Sequence, residues 1–255
     1  MTPDIKPIVA GNWKMNGSCG SESMVRELVS GFDEQLQSKL DMAIFPPAIL
    51  MALVASWTKG SAIAVGTQDC HANESGAHTG DTAAEMIADA EGTMVLAGHS
   101  ERRVDHNESD ADVAAKSEAA WRAGLVSVIC IGELEAQRRS GETLDVLGKQ
   151  LAGSVPGGAT SANTIVAYEP VWAIGTGLVP ETSDVEEAHA FIRKTLVERF
   201  GDEGGKMRIL YGGSVKPGNA GELMAINNVD GALVGGASLK STDFLGICEA
   251  YRTMA

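Results

Sequence analysis

Short apolar runs recur along the chain, at residues 8–10, 42–45, 63–66, 94–97, 126–130, 164–168, 208–211 and 231–234. Each is too short for a helix and reads as a buried parallel strand. Between them the apolar positions switch to a helical period. Residues 21–37 carry Met24, Val25, Leu28, Val29, Phe32 and Leu36 on one face, which predicts a single amphipathic helix. Residues 184–200 repeat the pattern with Val185, Ala188, Phe191, Ile192, Leu196 and Phe200. Ser183 with Glu186 has the spacing of a capping box at the start of that helix, and Gly201 reads as its stop. After the third run the chain is loop-like until a helix near residues 83–90.

Strict strand–helix alternation implies a parallel sheet with right-handed crossovers. Eight units of roughly 30 residues fit a closed (β/α)8 barrel better than an open doubly wound sheet. No shift in composition divides the chain, so the expectation is one α/β barrel domain spanning residues 1–255. The net charge of −14 and the lack of a basic face argue against nucleic-acid binding. No apolar run approaches the ~20 residues of a membrane span, and the start lacks a signal-peptide pattern. A cytoplasmic protein is expected. Cys19, Cys70, Cys130 and Cys248 are scattered, with no C-x-x-C pair and no His at metal spacing, so neither a disulfide framework nor a metal site is predicted.

Barrel active sites gather at the C-terminal ends of the strands. Here those ends are polar: Asn12-Trp13-Lys14 after the first, Gly98-His99-Ser100-Glu101 after the fourth, and Glu169 after the sixth. The seventh runs into Gly212-Gly213-Ser214 and the eighth into Gly235-Gly236. Taken singly, Lys14 reads as a solvated surface lysine, His99 as a cap or core histidine, and Glu169 as a loop carboxylate. The glycines read as turn residues. Their joint placement on one rim favours a site. Glu169 is the acid directly at the sixth strand terminus, held extended by Pro170, and suits a general base.

Five segments carry a family resemblance: residues 11–16 (Gly-Asn-Trp-Lys-Met-Asn), 98–103 (Gly-His-Ser-Glu-Arg-Arg), 168–177, 211–215 and 229–237. They resemble the triosephosphate isomerase family from the first strand to the last. The resemblance implies an aldose–ketose isomerase that interconverts glyceraldehyde 3-phosphate and dihydroxyacetone phosphate through an enediolate. It needs no cofactor and no metal, and serves glycolysis, gluconeogenesis and the adjoining pentose phosphate pathway. It implies Glu169 as base and neutral His99 as electrophile, with the imidazole pKa lowered by a helix N-terminus. Lys14 supplies positive charge, Asn12 places it and contacts substrate, and Glu101 holds Lys14 or a neighbouring backbone group. The phosphate rests on N–H groups of Gly175, Ser214, Gly235 and Gly236, helped by a short helix after the eighth strand.

Pro170, Val171, Trp172, Ala173, Ile174, Gly175 and Thr176 read as a lid that excludes water. Beyond it Leu178-Val179-Pro180 departs from the common family hinge, which puts opening rates in question. Cys130 reads as packing. Residues 68–80 are long and polar for a connection; the resemblance implies that they insert into a twofold partner, hence a homodimer, with Thr79, His78 and Met15 at the contact and His78 where the family usually has a large aromatic. Protonation of His78 is expected to weaken that dimer in mild acid. An isomerase of a related four-carbon sugar phosphate and an inactive scaffold barrel are the competing functions.

Overall fold

In the computed structural model, which describes residues 1–174, 180–252 and 254, the apolar runs form β1 (Ile8–Asn12), β2 (Asp41–Phe45), β3 (Ile63–Thr67) and β4 (Met94–Ala97). They continue as β5 (Val126–Ile131), β6 (Thr164–Tyr168), β7 (Arg208–Tyr211) and β8 (Gly231–Val234). The strands pair in sequence order, all parallel, and β8 closes on β1. The alternation therefore produced the expected closed barrel. Parallel strands covered by helices are buried on both faces, which is why they read as continuous apolar runs rather than alternating ones.

The period of two sorts side chains between two cores. Ile8, Ala10, Ala43, Phe45, Leu96, Val128, Ala167, Leu210 and Leu233 pack together in one cluster. Val9, Met42, Ile44, Val95, Ile129, Val166 and Ile209 belong to the other, with the helices. Small Ala10, Ala43 and Ala167 set against Phe45 and Leu96 let the barrel interior interdigitate. Among the described residues no helix is long and apolar enough to cross a membrane.

Two local expectations are corrected. Residues 21–37 form two helices, Glu22–Gly31 and Glu34–Lys39, because Phe32 leaves helical geometry and Asp33 caps the second, accepting from the Leu36 N–H at 2.9 Å. Phe32 and Leu36 stay buried across the break, so the apolar period runs on. The long helix before Gly201 starts at Thr182 with extended Glu181 at its cap. Ser183 lies inside it and caps nothing. Gly201 does end it, at φ 57°.

Candidate active site

β1 runs further than its apolar residues suggest and ends on Asn12, whose side chain is buried at the rim. Asn12 Oδ1 accepts from the Lys14 N–H at 3.0 Å. Lys14 sits at φ 53°, a left-handed conformation unfavourable for a side-chain-bearing residue. It persists because both sides of it are held. Gln68 Nε2 donates to the Lys14 carbonyl at 2.9 Å and to the Phe45 carbonyl at 2.8 Å. The ammonium group then reaches Glu101 Oε1 at 2.5 Å. Glu101 therefore holds Lys14 itself, one of the two partners expected for it.

His99 is delivered by a tight turn. Gly98 takes φ 68°, and a Cβ there would lie 2.4 Å from Val113, so only glycine fits. His99 is the N-cap of the helix Ser100–Asp105, and its Nδ1 accepts from the Glu101 N–H at 3.2 Å. That hydrogen bond requires a lone pair on Nδ1 and leaves the ring proton on Nε2. Nε2 lies 2.8 Å from Glu169 Oε1, and Glu169 Oε2 accepts from the Ser100 N–H at 2.9 Å. Glu169 is 2% exposed and His99 5%. At Gly132 a Cβ would lie 1.7 Å from the Glu169 carbonyl oxygen, so a bare backbone is needed there too.

The pair's electrostatics differ from the sequence expectation. Burial opposes charge on both groups, but each partner outweighs it. Glu169 is driven up by desolvation and pulled below the usual carboxylate range by the imidazole and the Ser100 N–H. His99 is driven down by desolvation and raised above the usual histidine value by Glu169, then Glu101. The helix N-terminus is present as expected. It acts through the Glu101 N–H, which a second ring proton would have to displace, while the facing carboxylate sets the direction of the shift.

These groups line a cavity of about 290 Å³ with Ile174, Gly212, Gly213, Ser214, Gly235 and Gly236. A 3-10 helix begins at Gly236 on the cavity wall, and a helix start offers N–H groups to an anion. The cavity suits a small metabolite. Ser214, Gly235 and Gly236 are thus brought together with Asn12, Lys14, His99 and Glu169. Gly175 and Thr176, with Leu178 and Val179, lie outside the described residues.

Pro170 leads into a 3-10 turn, Val171–Ala173, with Ala173 buried. Trp172 Nε1 donates to Glu133 Oε1 at 2.9 Å, the Tyr168 hydroxyl to the same oxygen at 3.2 Å, and the Val171 N–H to the Glu133 carbonyl at 3.1 Å. Burial raises the Glu133 pKa. Glu133 carries no signal in the sequence, being an acid in a short connection with no period to mark it. Burial also pushes the Cys130 thiol well up, which keeps it unreactive and agrees with a packing role. Thr79, His78 and Met15 are not in the cavity. Met15, 95% exposed, lines a separate groove with Pro47, Ile49 and Leu53.

Comparison with known proteins follows the same lines. A family model described as triosephosphate isomerase matches residues 7–251. The triosephosphate isomerase of Rhizobium meliloti (strain 1021) is 58% identical over 254 residues, covering 100% of this chain and 99% of that protein. That of Brucella abortus biovar 1 (strain 9-941) is 55% identical over 254 residues, covering 100% of both. A crystal structure of triosephosphate isomerase from Bartonella henselae superposes with a TM-score of 0.91 at 49% identity, covering 98% of this chain and 100% of the other.

Proposed function

The chain belongs to the triosephosphate isomerase family, and from that premise we propose that Glu169, His99 and Lys14 carry the interconversion of glyceraldehyde 3-phosphate and dihydroxyacetone phosphate. The observation that carries this is the contact of His99 Nε2 with Glu169 at 2.8 Å on the wall of the cavity that Lys14 also enters. Glu169 removes the proton from the carbon beside the carbonyl. His99 Nε2–H donates to the carbonyl oxygen as negative charge develops there, and the Lys14 ammonium stabilises that charge. Glu169 then returns the proton to the neighbouring carbon, while that carbon's hydroxyl proton passes by way of His99 to the first oxygen, so that the carbonyl forms at the other position and the first becomes a hydroxyl.

The substrate itself adjusts the two groups. Reaching the substrate carbon takes the carboxylate away from the imidazole, so each loses the partner that opposed its burial. Desolvation then raises the basicity of Glu169 and favours neutral His99. A base that is held in check while idle becomes stronger when substrate arrives.

Backbone N–H groups of Ser214, Gly235 and Gly236, with Gly175, hold the phosphate dianion on a chain whose net charge is −14. Pro170 to Thr176 close over it and exclude water. The barrel works as one domain, in glycolysis and gluconeogenesis. It works as a homodimer, in which the tip carrying His78 and Thr79 docks in the apolar groove beside Met15 of a second copy; exposed Met15 and Ile49 support this reading. A monomer in sedimentation at micromolar concentration would contradict it.

The deciding assay is turnover of glyceraldehyde 3-phosphate and of a four-carbon sugar phosphate by wild type and Glu169→Gln. The three-carbon substrate should be strongly preferred, and the variant should lose about 10²–10⁴ in rate. An active Glu169→Gln enzyme would overturn the assignment of the base, and a preference for four carbons would overturn the substrate.

A further inference from the structure

Glu169 is carried by a strand that outruns its neighbour. β5 pairs with β4 only as far as Ile129, opposite Ala97, but with β6 as far as Ile131, opposite Tyr168. β4 leaves the sheet at Gly98, whose φ of 68° turns the chain toward His99. Past Ile129, β5 has therefore lost its partner on one edge while the other edge still holds the base. There the Ile131 carbonyl accepts from the Glu169 N–H at 2.7 Å, and the Glu133 carbonyl from the Val171 N–H at 3.1 Å. Successive strand residues turn their backbone groups to opposite edges, so Cys130 and Gly132 face the side that β4 has left. Backbone groups left unpaired in the barrel wall cost free energy.

Two side chains stand in for the missing strand. Arg103 Nη2 donates to the Cys130 carbonyl at 3.1 Å, and its Nε to the Gly98 carbonyl at 2.9 Å. Gln150, on the helix Thr143–Ser154, takes both backbone groups of Gly132. Its Oε1 accepts from the Gly132 N–H at 2.7 Å, and its Nε2 donates to the Gly132 carbonyl at 3.2 Å. A primary amide offers an acceptor and a donor in one plane, the pair that a strand residue presents to its neighbour. Ser154 lies one turn on from Gln150, on the same helix face, and accepts from Arg103 Nη2 at 2.9 Å. One helix thus braces both substitutes. Gly132 in turn packs directly on the Glu169 carbonyl, where no Cβ fits.

We propose that Gln150 is a positioning residue for the isomerisation, which keeps the end of β5 in strand geometry through Gly132 and so fixes the backbone of Glu169 and of the lid residue Val171. It touches no reacting atom. The claim rests on the reading of Glu169 as the base, since a base displaced by about an ångström loses roughly 10²-fold in rate.

The test is Gln150→Met, which keeps the side-chain length and removes both hydrogen bonds, beside Gln150→Glu, which keeps the acceptor for the Gly132 N–H. With glyceraldehyde 3-phosphate, Gln150→Met should lower kcat about 10–100-fold and leave KM within about two-fold, because the phosphate-binding residues after β7 and β8 are untouched. Gln150→Glu should fall between that variant and wild type. Substrate deuterated at the carbon beside the aldehyde should show a larger isotope effect on kcat in Gln150→Met than in wild type, as proton abstraction slows. A role in stability alone would lower the denaturant midpoint and leave the isotope effect unmoved. Hydrogen exchange reads the same support without catalysis: the Glu169 and Val171 amides should exchange at least about ten-fold faster in Gln150→Met, while that of Val166 inside β6 should not. An unchanged kcat, or unchanged exchange at both amides, would overturn the proposal. Lack of turnover in the wild type would instead remove the isomerase reading, and the exchange data would still decide what Gln150 holds.

Discussion

His99 and Glu169 meet in a buried wall at the ends of β4 and β6, whereas His71, His78 and Asp81 meet on a polar lobe after β3. The side-chain types are the same in both places. The strand ends fix the first pair from behind, through the Gly98 turn and the Ser100 and Glu101 N–H groups, and exclude water from it. A backbone clasp, Asn73 and Arg122 order the second group at the surface of the single chain. Burial makes each buried group depend on its neighbour for its proton affinity, which suits proton transfer.

The largest way to break the comparison is to remove fixed charge from the buried side. Lys14→Met should lower turnover by about 10²–10³-fold, the loss associated with one preorganised donor to a developing oxyanion. Steady-state kinetics would show it, and a near-normal kcat would mean that the buried wall does not act through electrostatics.

A further histidine sharpens the point. His189 is fully buried without a contacting carboxylate; its ring nitrogen Nδ1 lies 2.9 Å from the Asn228 carbonyl. Burial, set against that carbonyl and Asp230, lowers its pKa from 6.5 to about 4. Between those values the unfolded chain holds a proton that the folded chain does not. Stability therefore rises with pH across this window and is lost as pH falls through it, by about 3 kcal/mol at its foot. Denaturant midpoints of wild type and His189→Gln across the window check this, and the variant should show the shallower slope.

Gln68 belongs to both regions, since it starts the lobe and its amide holds the carbonyls of Lys14 and Phe45. Gln68→Leu removes the amide donor from the Lys14 carbonyl and one of two donors from the Phe45 carbonyl, which keeps the Trp13 N–H, at a cost of about 1 kcal/mol. Turnover should fall roughly ten-fold. Equal rates in wild type and variant would show that the two regions act independently. The smallest expected effect is on assembly: sedimentation should show a weaker dimer at pH about 5.5 than at about 8 if His78 lies at the contact. An unchanged dissociation constant would remove His78 from the contact.

The sequence was most informative where one physical rule dominates. Continuous apolar runs marked all eight strands, and polar residues at their ends marked the rim, because a barrel places every strand terminus on one side. It was least informative where two rules compete. The break at Phe32 was hidden because the apolar period continues through Leu36, while the cap that causes it is the single residue Asp33. The Ser183–Glu186 spacing pointed to a cap, but the helix begins one residue ahead of Ser183. Glu133's contacts and the meeting of His71, His78 and Asp81 were invisible for a shared reason. Their partners are set by irregular connections, where spacing along the chain carries no spatial information.

The central claim is that Glu169 sets the proton affinity of His99 until substrate draws it away. Nitrogen NMR of ring-labelled protein, with and without triose phosphate at equilibrium, tests it directly. With substrate bound, His99 should be a neutral ring, protonated at Nε2 and bare at Nδ1, through mild acid as well as at neutral pH. A ring protonated at both nitrogens in the substrate complex would contradict the account.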